Sequence, residues 1–302
     1  MDSGWQASLL AGDIALIDGG TGSQLQSRGV PVSRICWNAT AGLSHHDTLV
    51  AVHVDFIEAG ADVITTNTFA THRYLLEAAG LAADYLRINE ATITAARRAR
   101  VETERPVALA GAMSCLPPGF DVVNYPNDTI ARAAYVEHAE MLAGFGVDLI
   151  ILEMMQDIKH STWAYEAASA TGLPVWLGIS CKLDTPSKRL VAYDFPDVSL
   201  DSLLSHLIAL KPDAINIMHS PVDAIPPALQ TILSRWNGVL GVYPELGSFD
   251  VTTRTRTAKV EADAFQALAK PWLECGVQII GGCCGAGPAH IAALKRLIAS
   301  IE

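Results

Sequence analysis

The sequence predicts an α/β protein whose chain forms a (β/α)₈ barrel, and two observations lead to this prediction. Short apolar runs alternate with longer helical patterns along the 302 residues, and the alternation repeats eight times. Each run is apolar throughout, which is typical of a strand that is covered on both faces. The expected strands span residues 14–20, 62–68, 106–112, 148–154, 174–180, 214–219, 238–244 and 278–284.

An open, doubly wound sheet would show the same alternation, so it is the count of eight that favours the barrel. The segment that ends the first strand, DGGTGSQL, lacks the G-x-G-x-x-G spacing that holds a dinucleotide. Helical patterns at 46–60, 129–146 and 259–276 each end in a glycine, as expected at a helix C-terminus. Because no linker divides the chain, we expect a single domain over residues 1–302.

The composition excludes several classes of function. The formal net charge is −11 and the chain shows no clusters of Lys and Arg, so nucleic acid is not an expected partner. No signal peptide and no run of about 18 apolar residues is present, so we expect a cytoplasmic protein without a membrane partner. The six cysteines lack the spacing of a disulfide framework, and we expect reduced thiols.

Long connections follow the third, fifth and seventh expected strands. They span residues 115–128, 181–199 and 245–258. Barrel enzymes build their active sites from the loops at the carboxyl ends of the strands. We therefore expect the active site at that end of the barrel.

Two adjacent cysteines, Cys283 and Cys284, end the eighth apolar run in the segment IIGGCCGAGP. Adjacent side chains on a strand point to opposite faces, so both thiols can serve one site only where the strand has ended and the backbone turns, as the glycines permit. Two thiolates are ligands that zinc accepts, and a catalytic zinc site takes three protein ligands. The alternative is that both residues are small apolar side chains that close the barrel.

The sequence as a whole resembles the homocysteine S-methyltransferase family, zinc enzymes on a (β/α)₈ barrel. The matching segments are LIDGGTGSQLQSRG (16–29), CWNA (36–39), VHVDFIEAGADVITTNTFATH (52–72), LEMMQD (152–157), GVYPELGSFD (241–250) and GGCCGAGPAHI (281–291). The resemblance implies zinc-dependent transfer of a methyl group to the thiol of homocysteine, which forms methionine. Because folate-using members carry further large domains, it favours a sulfonium donor, S-methylmethionine or S-adenosylmethionine.

The third zinc ligand of the family is a Cys after strand six, and this chain has none there. The corresponding segment is DAINIMHSP (213–221). One alignment places His219 at the position of the family's Cys, and another places Met218 there. We choose His219, because imidazole is a frequent zinc ligand and a thioether suits zinc poorly. The implied metal ligands and catalytic residues are His219, Cys283 and Cys284.

The resemblance also implies a pocket for the two substrates. Carboxylates of the protein are expected to bind the amino group of a substrate. Backbone amides after the first strand are expected to bind its carboxylate, and aromatic rings are expected to contact the sulfonium of the donor. Asn67 is expected either to bind substrate or to form a turn, and Asp18, which precedes two glycines, could cap a turn instead of binding the amino group. The residues in these roles are Asp18 and Glu153 for the amino group, Gly20, Thr21 and Gly22 for the carboxylate, and Trp37, Phe69 and Tyr243 for the sulfonium.

Departures from the family pattern occur around this pocket. Gln24 stands where Glu is frequent, Met154 where Thr is common and Glu245 where Asn is usual, and the segment 110–115 reads AGAMSC. These departures favour an alternative hypothesis, a divergent barrel that uses another small thiol or another methyl donor. A third hypothesis, a metal-binding or thiol-binding protein without catalysis, ranks last because long loops at the carboxyl end of a barrel are usually catalytic.

Overall fold

Eight parallel strands form the centre of the computed structural model, which describes residues 5–115, 125–250, 255–257 and 260–301. Each strand lies within or overlaps one of the eight segments expected from the apolar runs. The strands are β1 (Ala15–Leu16), β2 (Val63–Thr65), β3 (Ala108–Ser114), β4 (Leu149–Met155), β5 (Val175–Ile179), β6 (Ala214–Met218), β7 (Val239–Tyr243) and β8 (Ile279–Ile280).

The strands follow one another around a closed barrel. Each pairs in parallel with its neighbour in the order β1-β8-β7-β6-β5-β4-β3-β2. The last seam, between β1 and β2, is closed by a parallel bridge between Ile17 and Val63. There the Asp18 N–H donates to the Val63 carbonyl at 3.0 Å, and the Asp62 N–H donates to the Leu16 carbonyl at 2.7 Å. The predicted barrel is confirmed.

The first, second and eighth strands are shorter than the sequence analysis expected. The run at 278–284 contains only a two-residue strand, because the chain leaves the sheet after Ile280 and continues through Gly281 and Gly282. The strand therefore ends before the two cysteines, and the backbone turns at Cys284 and Gly285, as expected. At the ends of the other five strands the differences are of two residues or fewer.

A row of aspartates repeats along the barrel, and the sequence analysis missed it. Asp62, Asp148 and Asp213 stand directly before β2, β4 and β6. Their carboxylates accept the backbone N–H of Leu16, Leu109 and Val175 on the preceding strand, at 3.0, 2.7 and 2.8 Å. The N–H of each aspartate donates back to the carbonyl of that same residue. Each of these three pairs of strands, β1–β2, β3–β4 and β5–β6, is thus held in register at its amino end by two reciprocal hydrogen bonds.

The helices surround the barrel. In the described residues they are α1 (Trp5–Ala11), α2 (Thr21–Ser27), α3 (Ala41–Ser44), α4 (His46–Glu58), α5 (Arg73–Ala78), α6 (Tyr85–Glu102), α7 (Asp128–Gly144), α8 (Ile158–Ser169), α9 (Leu200–Leu207), α10 (Ile225–Leu233), α11 (Ala262–Glu274) and α12 (Pro288–Ile298). The three helical patterns expected to end in glycine correspond to α4, α7 and α11. The glycines that follow, Gly60, Gly146 and Gly276, all have positive φ, so they end their helices as predicted.

The inside of the barrel is a separate apolar cluster, closed at the amino end by α1. Inward residues of the strands pack against Leu9 and Trp5. The Trp5 and Trp176 rings meet edge to face at 5.6 Å between centroids, an arrangement that aromatic pairs favour. Because side chains fill this end, only the carboxyl end of the barrel remains open for a site.

Two of the long loops contain short hairpins. Cys181–Leu183 pairs with Leu190–Ala192 after β5, and Ser248–Asp250 pairs with Thr255–Thr257 after β7. Most of the loop expected at 115–128 lies outside the described residues. None of the described helices is long and apolar enough to cross a membrane.

Substitution of Asp148 tests the reciprocal hydrogen bonds between these aspartates and the preceding strands. We expect Asp148→Ala to lower the free energy of unfolding by about 1–3 kcal/mol, because it leaves the Leu109 N–H without its acceptor. Asp148→Asn retains an acceptor oxygen and is expected to cost less. Urea denaturation measures both, with Asp197→Ala at an exposed position as control. Equal losses for the two Asp148 variants would attribute the stabilisation to the ion pair with Arg100, which lies 2.9 Å away.

Candidate active site

A cavity of about 300 Å³ opens at the carboxyl end of the barrel. Every residue that the sequence analysis assigned to metal or substrate lines it, together with Met218. The expected residues found there are Asp18, Gly20, Thr21, Gly22, Trp37, Asn67, Phe69, Glu153, His219, Tyr243, Cys283 and Cys284. These residues come from the ends of strands far apart in the chain, and closure of the barrel brings them together.

An imidazole and two thiols lie close together in this cavity. One ligand atom from each of His219, Cys283 and Cys284 lies within 4.8 Å of the other two. The His219 Nδ1 is 3.6 Å from the Cys283 Sγ. The Cys283 N–H donates to the Pro244 carbonyl at 2.8 Å, and the Leu246 N–H donates to the Cys284 carbonyl at 2.8 Å. The backbone after β7 therefore holds both cysteines in place.

Close approach of two loops explains the glycines around the cysteines. Gly285 has φ +88°, and a methyl group on it would lie 2.5 Å from the Leu246 carbonyl oxygen. In the loop after β1, a methyl group on Gly20 would lie 2.7 Å from the Cys283 carbonyl oxygen. The Gly285 N–H donates to the Ser23 hydroxyl at 3.1 Å. Only glycine satisfies both the conformation and the contact at position 285.

His219 follows β6 directly and has an unusual backbone. Its φ is +45°, in the left-handed region, which is uncommon for a residue other than glycine. Its N–H donates to the Tyr243 carbonyl at 3.2 Å. Of the six non-glycine residues with positive φ in the described chain, three line the cavity: Trp37, Met154 and His219. Such conformations persist where the surrounding structure enforces them, and they concentrate at functional sites.

Met218 lies beside His219, and its sulfur already has partners. The Met154 N–H donates to the Met218 Sδ at 3.1 Å, and the Ser180 hydroxyl donates to it at 3.3 Å. The Met218 side chain is 1% exposed. Two residues align with the family's third Cys. His219 places a ring nitrogen near Cys283, and the Met218 sulfur accepts two hydrogen bonds.

Two carboxylates lie deep in the cavity. Asp18 accepts hydrogen bonds from the backbone N–H and the hydroxyl of Thr65, at 2.8 and 2.9 Å. Burial raises the pKa of Asp18 to about 7, although the bonds from Thr65 oppose this shift. Burial, together with the negative charges of Asp18 and Cys284, raises the pKa of Glu153 to about 8. A cation bound between these groups would favour their ionised forms.

The sequence model of one family matches residues 15–298 of this chain, and that family is described as homocysteine S-methyltransferase. The chain belongs to the homocysteine S-methyltransferase family. Membership makes the protein a thiol S-methyltransferase, and the sequence-based prediction of an enzyme of this class is confirmed.

Similar proteins extend along almost the whole chain. Betaine–homocysteine S-methyltransferase 1 of Bos taurus is 27% identical over 313 residues, which cover 96% of this chain and 74% of that protein. Homocysteine S-methyltransferase 1 of Zea mays is 26% identical over 314 residues, 95% of each chain. The crystal structure of the metallated form of the homocysteine methyltransferase MmuM from Escherichia coli has a TM-score of 0.76 at 23% identity, covering 94% of this chain and 96% of that one. This structural likeness supports the barrel fold.

The departures from the family pattern differ in their relation to the cavity. Met154 lines it, whereas Gln24 and Glu245 do not. Glu245 is buried beside the cavity and accepts a hydrogen bond from the Tyr193 hydroxyl at 3.0 Å. Of these three residues, Met154 is therefore the one placed to contact a substrate directly.

Other expected site residues hold the cavity wall as well as lining it. The Asn67 amide donates to the Asn38 carbonyl at 2.9 Å and so attaches the Trp37 segment to the end of β2. Residues 20–22 were expected to be an anion-binding turn. Gly20 is instead the N-cap of α2, and its N–H donates to the Ala286 carbonyl at 3.0 Å, whereas the N–H groups of Thr21 and Gly22, in the first turn of α2, have no partner within the helix. The Tyr243 hydroxyl is buried and has no hydrogen-bond partner in the described part of the chain.

Sequence reasoning missed Tyr193 and Asp194, which also line the cavity. They follow the hairpin after β5, within the loop expected at 181–199. The signal available was a Tyr-Asp pair in a long loop at the carboxyl end of a strand, and nothing in the sequence distinguished it from the other polar residues of that loop.

Substitution of Gly285 tests the close approach of the loops. Gly285→Ala and Gly276→Ala both place alanine at a positive φ, but a methyl group on Gly276 would meet no atom within 4 Å. We expect Gly285→Ala to lower the free energy of unfolding by about 1–3 kcal/mol more than Gly276→Ala, because of the contact with Leu246. Urea denaturation of both variants measures the difference. Equal losses would show that conformation alone, and not the contact, requires glycine at position 285.

Proposed function

We propose that the protein transfers a methyl group from a sulfonium donor of the S-methylmethionine type to the thiol of homocysteine, with zinc bound by His219, Cys283 and Cys284. The observation that carries the proposal is the convergence of one imidazole and two thiols in the cavity of a homocysteine S-methyltransferase barrel. The chain thus keeps two of the family's three thiolates and supplies a nitrogen in place of the third.

The three side chains fit zinc chemically. Two sulfurs and one imidazole nitrogen are a known catalytic zinc set, and three protein ligands leave a fourth position for substrate. Hydrogen bonding to Cys284 and burial raise the pKa of Cys283 well above its ordinary value, so the adjacent thiols need a cation to ionise together. When bound, zinc would lower the pKa of a coordinated thiol and so supply a thiolate near neutral pH.

The acceptor's polar groups have matching partners in the cavity wall. Asp18 and Glu153 would bind the ammonium group of homocysteine, which would favour their charged forms. The backbone N–H groups of Thr21 and Gly22, in the first turn of α2, would bind its carboxylate. Both sets lie in the same cavity as the cysteines, so the thiol would be directed towards them.

The lining of the cavity supports a small cationic donor. No Lys or Arg occurs among the described lining residues, whereas Trp37, Phe69 and Tyr243 present aromatic rings. Aromatic faces attract a sulfonium without donating hydrogen bonds to it. The volume of about 300 Å³ is at the lower end for small-molecule sites, which favours S-methylmethionine over a donor that carries a nucleoside.

The reaction is an in-line displacement at carbon. The acceptor reacts as the thiolate, after its thiol has released a proton to solvent. A lone pair of this thiolate forms a bond to the methyl carbon, while the bond from that carbon to the donor sulfur breaks and its electron pair stays on the donor. The donor becomes a neutral thioether, and the acceptor becomes methionine. The protein's part is to hold the two sulfurs and the methyl group in line at roughly 3–3.5 Å and to exclude water.

Metal analysis tests the ligand set. We expect about one zinc per chain in wild type and a large loss in His219→Ala, Cys283→Ala and Cys284→Ala, because each removes one of three protein ligands. Cys275→Ala, at an exposed cysteine outside the cavity, is the matched control and is expected to retain zinc. Met218→Leu is also expected to retain it. Loss of zinc in Met218→Leu with retention in His219→Ala would identify the thioether as the ligand instead.

Transfer of an isotopically labelled methyl group tests the reaction. We expect labelled methionine from labelled S-methylmethionine and unlabelled homocysteine, detected by mass spectrometry. Glu153→Gln is expected to raise the KM for homocysteine about tenfold or more, because a charged hydrogen bond to the ammonium group is lost. Glycine betaine and a panel of other small thiols are assayed in parallel. Label on another thiol but not on homocysteine would favour a divergent acceptor, as Met154 in the cavity suggests.

A further inference from the structure

Asp194 is a third carboxylate of the cavity, and it is held in a fixed position by one buried side chain. The Gln156 amide donates to the Asp194 Oδ2 at 2.9 Å, and the Asp194 N–H donates to the Gln156 Oε1 at 2.5 Å. Gln156 is only 3% exposed. Both polar atoms of this buried amide therefore serve to hold Asp194.

The preceding residue, Tyr193, is anchored as well. Its N–H donates to the Ser180 carbonyl at 3.1 Å, and its hydroxyl donates to the Glu245 Oε1 at 3.0 Å. Its ring lies 5.2 Å from the His219 ring, measured between centroids. Residues 193 and 194 are thus attached to segments that follow β4, β5 and β7. A carboxylate held in this way is preorganised, so a ligand need not pay the entropy of ordering it.

No basic side chain in the described ranges of the chain forms an ion pair with Asp194. Its Oδ1 accepts no hydrogen bond within those ranges. The nearby Lys182 instead places its Nζ 5.3 Å from the centroid of the Tyr193 ring. Because a partly buried carboxylate is stabilised by a cation with N–H donors, the free oxygen of Asp194 suits an ammonium group from a ligand.

We propose that Asp194, positioned by Gln156, binds the ammonium group of the methyl donor, so that the enzyme selects amino-acid sulfonium donors over sulfonium or betaine donors without an amino group. The inference rests on the proposed function, in which Asp18 and Glu153 take the ammonium group of the acceptor. A donor of the S-methylmethionine type carries a second ammonium group, which needs its own anion. A sulfonium centre has no N–H to donate, so aromatic rings suffice for it, whereas an ammonium group requires acceptors.

A matched pair of ligands tests this proposal by isothermal titration calorimetry. One ligand is S-methylmethionine, and the other is 4-(dimethylsulfonio)butanoate, the same molecule without its amino group. We expect Asp194→Asn to weaken binding of S-methylmethionine about tenfold or more and to leave binding of the deamino compound unchanged within about twofold. This substitution keeps an oxygen that accepts from Gln156, so it removes the charge and preserves the local structure. Asp197→Asn, an exposed position three residues on, is the control and is expected to change neither affinity.

Gln156→Leu provides a second variant that tests positioning. We expect Gln156→Leu to weaken the binding of S-methylmethionine selectively, as Asp194→Asn does. The effect should be smaller, because the carboxylate of Asp194 remains present without its supporting hydrogen bonds. Equal weakening of both ligands by Asp194→Asn, no weakening of either, or weaker binding of homocysteine in place of the donor would overturn the proposal. So would a wild-type protein that binds both donors equally well or binds neither.

The titrations, combined with the label-transfer assay, separate this proposal from the proposed function. Transfer of label from both donors by wild type, with no preference for the amino-acid donor, would reject the role of Asp194 and leave methyl transfer to homocysteine intact. Selective binding of S-methylmethionine that depends on Asp194, without transfer of its methyl group to any thiol, would support the ammonium site and reject the proposed reaction.

Discussion

The close packing of the loop after β8 against the loops after β1 and β7 is the constraint on which the active site depends. Gly20 allows the loop after β1 to approach Cys283, and Gly285 allows the cysteine segment to approach Leu246 after β7. Ser23 and Leu246 form hydrogen bonds with that segment from either side. Without a side chain at these glycines, the backbone can turn directly after a two-residue strand and present two adjacent thiols to one cavity. Barrel closure then places them beside His219, more than sixty residues earlier in the chain.

Replacement of a thiolate by an imidazole changes the electrostatics of such a site. In the proposed site, a metal bound by two thiolates and one neutral nitrogen carries one unit more positive charge than a metal bound by three thiolates. A coordinated thiol would have a lower pKa there, and its thiolate would be a weaker nucleophile. The surroundings are rich in carboxyl groups, because Asp18, Glu153 and Asp194 line the cavity and Glu245 is buried next to it. A bound cation would favour the charged forms of Asp18 and Glu153, whose pKa values burial raises. This environment matches cationic substrates and agrees with the net charge of −11.

Much of the fold and of the site followed from residue patterns. Apolar runs with glycine stops predicted eight strands and their intervening helices, because burial on both faces imposes the same composition on every inner strand. The residues near strand ends were predicted to meet because all carboxyl ends of a parallel barrel face one way. The family's motifs pointed to Cys283, Cys284 and Glu153 individually. The strand lengths were overestimated at β1, β2 and β8. Glycines follow β8 directly and β1 after two residues, and they let the chain leave the sheet early.

The sequence by itself determined the barrel, the family and the end of the barrel that carries the site. Tertiary structure alone showed that the imidazole of His219, chosen from the sequence on ligand chemistry, lies with the cysteines, and that the Met218 sulfur accepts hydrogen bonds from Met154 of β4 and from Ser180 after β5. It also decided that Asp194 belongs to the cavity, because the hydrogen bonds from Gln156 join loops that are distant in the chain. Such contacts depend on side chains from different strands meeting after closure, and no local spacing of residues encodes them.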